Sequence, residues 1–189
     1  MNTKTTSKVR RGAGLMAAAA VAVGGLLAAP QVATAKPGPP PVPADVAIPA
    51  GNVLSSMGAA QGFQIYTCQA QATGFAWVLQ QPMAVLLQGG HKPFALHFGG
   101  PTWMAMDGSS VVAARDGSAP APSGNAIPWL RLKATSNSGP AGGTFTSTTY
   151  IQRLNTTGGV APATGCDAGH VGATAPVFYT ADYYFYRAG

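Results

Sequence analysis

The side chains best suited to chemistry gather in one short stretch, residues 97–109: His97, Trp103, Asp107 and Ser109. An imidazole, a carboxylate and a hydroxyl are the parts of a nucleophilic hydrolase, with His97 as base, Asp107 orienting it and Ser109 or Ser110 as nucleophile. Such a site also needs a strained nucleophile and donors for an oxyanion. No G-x-S-x-G elbow occurs in the chain. The same stretch, joined by Arg153, reads better as a binding face. Amphipathic aromatics with a few polar groups hold sugars and peptides well. Trp103 follows a Gly99-Gly100-Pro101 turn and is the tryptophan expected at the surface. Asp107-Gly108 and Asp116-Gly117 are hairpin-turn dipeptides, so turn formation alone accounts for both aspartates.

Other chemistries are poorly supplied. The three histidines, His91, His97 and His170, match no metal-ligand spacing. No phosphate loop or dinucleotide fingerprint occurs, so neither a metal nor a cofactor is expected. The five acids are all aspartates, and nothing sets two of them across a cleft for glycosidase work. Arg153 and Asp182 each sit inside a β-run, where a lone charge is costly, and are expected to pair. Cys68 and Cys166 are the only cysteines, and in an exported chain they predict one disulfide between an early strand and a late loop.

The elements that must position these groups begin with a leader. Residues 1–35 have a basic start (Lys4, Lys8, Arg10, Arg11), an uncharged apolar run and an Ala33-Thr34-Ala35 cleavage pattern. A signal peptide cut after Ala35 is expected, and hence a secreted or periplasmic protein with no membrane span after cleavage. Gly-Ala-Gly after Arg10-Arg11 favours general secretion over the twin-arginine route. The leader takes four of eleven basic residues and no acid, leaving a net charge of about +2. The remaining basic residues are scattered, which excludes the dense stripe a nucleic acid requires.

Residues 36–51 are proline-rich and predict an extended linker. From residue 52 to 189 the composition is poor in helix formers and rich in Thr, Val and Tyr. It predicts a single all-β domain, an antiparallel β-sandwich or barrel-like unit with long Gly/Pro-rich loops. Residues 63–68 alternate as a strand. Residues 75–81 and 83–88 read as two strands broken at Pro82. Asp116-Gly117-Ser118 reads as a second turn, 118–125 as a loop, and 144–156 as the longest β-run. The last strand carries Tyr179, Tyr183 and Phe185 on one face and Phe178, Tyr184 and Tyr186 on the other. A strand apolar on both faces belongs in the middle of the fold, covered on both sides.

These motifs resemble the domain-of-unknown-function family 3455, secreted proteins of bacteria and fungi. The similarity is carried by QIYTC at 64–68, by His97, Gly100-Pro-Thr-Trp103 and Asp107-Gly-Ser109, and by IPWL at 127–130. It continues through YIQRLNT at 150–156, Gly158-Gly159, Ala161-Pro162, Cys166, YTADY at 179–183 and Phe185-Tyr186. The resemblance implies a secreted single domain and no reaction. His97, Trp103, Asp107 and Arg153 match the pattern without any role attached. A malate dehydrogenase label borne by some fungal relatives finds no support, for the chain lacks a βαβ pattern and a glycine fingerprint. The resulting expectation is a non-enzymatic β-domain that binds a polymer, a small ligand or an envelope partner, such as a carbohydrate. The alternative is a secreted hydrolase using His97 and Asp107.

Overall fold

The structure, a computed structural model, describes residues 38–189. The expected signal peptide and its cleavage site lie outside the described residues. Eight strands follow one another: β1 (Asn52–Gln71), β2 (Gly74–Gln88), β3 (Lys92–Phe98), β4 (Thr102–Ala105), β5 (Ser110–Ala119), β6 (Trp129–Ser138), β7 (Thr148–Gly158) and β8 (Thr174–Ala188). Each pairs antiparallel with the next, and β8 returns to β1, so the sheet closes into a barrel. The all-β reading holds, in its barrel form. Among the described residues no helix is long and apolar enough to cross a membrane.

Closure at eight strands leaves an interior just wide enough for side chains or one small ligand. Bulk is distributed accordingly. Ala60, Ala84, Ala95, Ala105, Ala113 and Ala181 share the core with Trp103, Phe145, Tyr179, Tyr183 and Phe185. Alternating small and large residues is how a narrow barrel fills its taper.

One end of the barrel is plugged. The β6–β7 connection turns Phe145 inward, against Phe185 at 4.4 Å and Phe94 at 5.6 Å between ring centroids. Residues 144–147 are therefore turn and plug, and the strand begins only at Thr148.

The proline-rich arm is not a free spacer. A short 3₁₀ turn, Ala44–Val46, docks on the outer face of the barrel, where Val46 is fully buried with Trp129, Leu154, Tyr184 and Tyr186. Its carbonyls find donors: Gln152 Nε2 bonds the Val46 carbonyl at 2.6 Å, and Arg131 Nη1 bonds the Ala47 carbonyl at 2.8 Å. Gly117 permits the approach, because a Cβ there would overlap the Asp45 carbonyl oxygen. The apolar residues of the arm have a patch to bury against, and burial outweighs the extended preference of its prolines. The arm also supplies the second cover over β8, whose Tyr183 and Phe185 face the lumen while Tyr184 and Tyr186 face the arm.

Three local expectations change. Pro82 does not split β2, because β2 pairs with β3 only from Ala84 onward and a missing N–H is tolerated on a strand paired on one side. Asp116-Gly117 is not a turn. It forms an irregularity inside β5, held by Arg131 Nε on Asp116 Oδ2 at 2.8 Å. The expected loop from residue 118 starts later, since β5 continues to a buried Ala119.

Candidate functional site

The other end of the barrel is open. Its mouth is framed by the β3–β4 turn at Gly100 and Pro101, by residues 79–82 of β2, and by Pro128 and Leu130. Beneath it lies a cavity of about 320 Å³. Strand parity delivers the side chains that line it, since on a pleated strand every second residue faces inward. His97 and Trp103 are cross-strand partners on β3 and β4, so their rings stack at 4.1 Å and 6°. Tyr183 meets both edge-on, at 5.2 Å and 5.5 Å. Arg153 is the partner of Tyr183 across β7–β8 and of Leu130 across β6–β7. Arg115 and Gln64 complete the polar lining.

His97 is 3% exposed, and its Nδ1–H donates to the Thr102 carbonyl at 2.9 Å. A carbonyl can only accept, so Nε2 is the unprotonated nitrogen. Burial pushes the His97 pKa down to about 3, against the Thr102 bond and assisted by the Arg153 charge. The ring is neutral at pH 7 and a poor general base. Burial raises the Tyr179 and Tyr183 hydroxyls, so both are neutral too. Arg153 spends Nε and Nη2 on the Pro128 carbonyl, at 3.2 Å and 2.9 Å.

The expected Arg153–Asp182 pair does not form. Arg153 shares the inward parity of Ile151, whereas Asp182 lies between inward Ala181 and Tyr183 and faces out. There it accepts from Asn155 Nδ2 at 2.8 Å. Among the described residues the ion pairs are Arg131–Asp116 and His170–Asp167, so neither cavity arginine has a carboxylate partner. No aspartate lines the cavity.

Two buried donors at this site are orphaned. Gln64 and Trp103 are each 1% exposed, and among the described residues neither Gln64 Nε2 nor Trp103 Nε1 makes a hydrogen bond of good geometry, although the Gln64 amide lies close enough to act on the Tyr179 hydroxyl. The surroundings hold Gln64 in place. Gly159, at φ +75, lets the chain pass so close that a Cβ would stand 2.9 Å from Tyr179 Cβ and 3.2 Å from Gln64 Cγ. The Gly159 carbonyl accepts the Tyr66 hydroxyl at 2.6 Å.

The structure thus brings together His97, Trp103 and Arg153 and leaves Asp107 and Ser109 elsewhere. Trp103 is an inner-wall residue, not a surface one, because pairing with His97 sets it on the lumen parity. Asp107 sits in the β4–β5 turn at the plugged end. Its Oδ1 accepts from Ser109 N (2.8 Å) and Ser109 Oγ (2.6 Å), and its Oδ2 from Thr144 N (2.8 Å) and Thr144 Oγ (2.7 Å). These four bonds hold its carboxyl well below the usual carboxylate range, the Ser109 hydroxyl contributing most. Ser109 Oγ in turn accepts the Phe145 amide at 3.1 Å. Asp107 and Ser109 therefore pin the Phe145 plug, and His97 is not near them: no Ser-His-Asp array is assembled. His91 lies in the β2–β3 turn, and His170 bonds Asp167 on a surface loop at 2.7 Å.

Cys68 and Cys166 form the expected disulfide, 98 residues apart in sequence. It ties β1 to the β7–β8 loop, which Trp77 Nε1 also holds through the Thr164 carbonyl at 2.9 Å.

Sequence reasoning missed Gln64 and Arg115. The signal for Gln64 was its two-residue step to Tyr66 and Cys68, which are all buried on one face of β1. Arg115 steps in the same way from inward Val111 and Ala113.

No curated protein and no solved structure matched the chain. A family model described as "Protein of unknown function (DUF3455)" matches residues 49–187, which take in the eight strands of the barrel except the last residue of β8, together with the plug and the cavity. With the match spanning most of its length, the chain belongs to the DUF3455 family.

Proposed function

We propose that this protein is an exported, non-enzymatic binding barrel that holds a small ligand in the cavity between His97, Trp103, Arg153 and Tyr183. The observation that carries the reading is the pair of orphaned donors, Gln64 Nε2 and Trp103 Nε1, in the wall of that cavity. A buried donor without a partner costs about 1–3 kcal/mol, and native proteins leave few of them unexplained. A ligand that accepts from both removes the penalty. The neutral His97 and the absence of any cavity carboxylate favour binding over acid–base catalysis. The disulfide is compatible with export.

The test is native mass spectrometry of protein isolated from an exporting host, compared with Leu130→Trp, which fills the cavity from its rim. Wild type should release a small molecule on denaturation, and the filled variant should release none while keeping its melting temperature. The reading fails if wild type releases nothing and no compound of a diverse fragment library stabilises it against heat.

A further inference from the structure

We propose that the ligand is a small organic acid, a compact ring bearing one carboxylate, with the carboxylate held by Arg153 and Arg115 and the ring lodged against the His97–Trp103–Tyr183 wall. The proposal rests on the binding reading above and specifies its ligand class. Four observations support it.

The first is charge. Two arginines line the cavity, neither meets a carboxylate among the described residues, and no aspartate lines the site. The Arg153 charge reaches inward, where it acts on Tyr66, His97, Tyr179 and Tyr183. A guanidinium against low-dielectric walls, with no acid to neutralise it, favours an anion in the cavity.

The second is the donor balance. Beyond the arginines, the buried cavity-lining groups left without partners are N–H donors, Gln64 Nε2 and Trp103 Nε1. They call for an acceptor-rich ligand, and a carboxylate accepts only. The third is the number of free donors. Two nitrogens of Arg153 are already committed to the Pro128 carbonyl. Arg153 Nη1 and the Arg115 guanidinium are left for an anion, and a guanidinium fork matches the two oxygens of a carboxylate.

The fourth is shape. The cavity, about 320 Å³, is at the lower end for small-molecule sites. Apart from its polar groups it is walled by leucine, proline and aromatic residues. Edge-to-face partners such as Tyr183 add specific attraction for a flat ring.

The experiment is isothermal titration of the mature, oxidised protein with benzoate, cyclohexanecarboxylate, benzyl alcohol and phenyl phosphate. The same titrations follow on Arg153→Gln and Arg115→Gln. Benzoate should bind at least tenfold more tightly than benzyl alcohol. Its affinity should drop about tenfold or more in each arginine variant, and as salt rises. Because Arg153 also secures the Pro128 carbonyl, Arg115→Gln, at an exposed position, keeps the test valid if Arg153→Gln fails to fold. Tighter binding of phenyl phosphate overturns the carboxylate. Equal binding of cyclohexanecarboxylate overturns the preference for a flat ring. Binding of benzyl alcohol as tight as benzoate, or an uncharged molecule recovered from the native protein, overturns the organic acid and leaves the binding reading intact. If nothing in the panel binds and the native protein carries no small molecule, both readings fall together.

Discussion

Replacing Gln64 by methionine separates what the cavity costs from what it does. The glutamine is 1% exposed, and its Nε2 has no partner. Methionine has nearly the same length and flexibility and carries no N–H. In the empty protein the change removes an unsatisfied donor, worth about 1–3 kcal/mol. For a domain of about 150 residues each kcal/mol moves the melting temperature by about 2–4 °C. Ligand-free Gln64→Met should therefore melt about 2–12 °C above wild type. In the complex the same change deletes a donor to a charged acceptor, worth about 1.5–3 kcal/mol, or roughly 10- to 150-fold in Kd.

The assay is scanning calorimetry of stripped protein paired with benzoate titration. A gain in stability together with a loss of affinity is a signature that a packing residue does not give, since loss of packing lowers both. A lower melting temperature for the ligand-free variant would refute the reasoning, because it would mean that the amide is satisfied in the folded protein.

Three further outcomes follow from other parts of the molecule. The folded pKa of His97 is about 3, below the ordinary 6.5, so between those values the unfolded chain binds a proton that the barrel refuses. Stability should fall by about 1.4 kcal/mol per pH unit on acidification through that window and be unaffected above it; urea titrations of His97→Gln should lack this limb, and an unchanged acid slope would contradict it. Asp107→Ala should release the plug: hydrogen exchange at the Phe145 amide, held by Ser109 Oγ, should accelerate while His97 and Trp103 stay stacked. Because the Asp107 pKa is depressed, its support is full above the unfolded carboxylate pKa of 3.8 and in wild type should be lost progressively as pH falls below that value toward the lower folded pKa. Removing the Cys68–Cys166 bond, which closes a 98-residue separation, should cost about 4–5 kcal/mol in the chain-entropy model, seen as an earlier urea midpoint, with the affinity of the mouth for benzoate retained.

Much of the fold was legible because it depends on period and turn chemistry. Alternation from 63 to 68, the Asp107-Gly108 turn and the doubly aromatic last strand each report local rules that the barrel obeys. Which face of a strand becomes the lumen is not a local property. In β1 the apolar Phe63 turns outward against Phe178, at 5.7 Å, while Gln64 turns inward. Closure of the barrel decides this, and a one-residue change of parity exchanges every side chain between faces. The same rule explains the Arg153–Asp182 expectation: two charges on neighbouring strands were assigned to one face, and the β7–β8 register separates them by the thickness of the wall. Asp107 and Ser109 misled in another way. A carboxylate beside a serine has the composition of a catalytic site and also that of a pinned turn, and only the Thr144 and Phe145 amides tell the two apart.

The two ends of the barrel differ in the charge of the polar groups they leave unpaired. At the plugged end one aspartate receives four hydrogen bonds, and its serine neighbour passes another to the plug. At the mouth two arginines lack a counter-ion and two buried donors lack an acceptor, within a few residues of the same strands. A sequence selected only to fold would close both ends alike, since filling the mouth with leucine would remove the penalties and add buried apolar area. Departures from local satisfaction tend to concentrate where a protein meets something else. Unpartnered buried groups occur at the plugged end too, Ser56 Oγ and Thr148 Oγ1, but a hydroxyl can both donate and accept; at the mouth the unpaired groups are donors and positive charge alone, which is the basis of the proposal that an anion binds there.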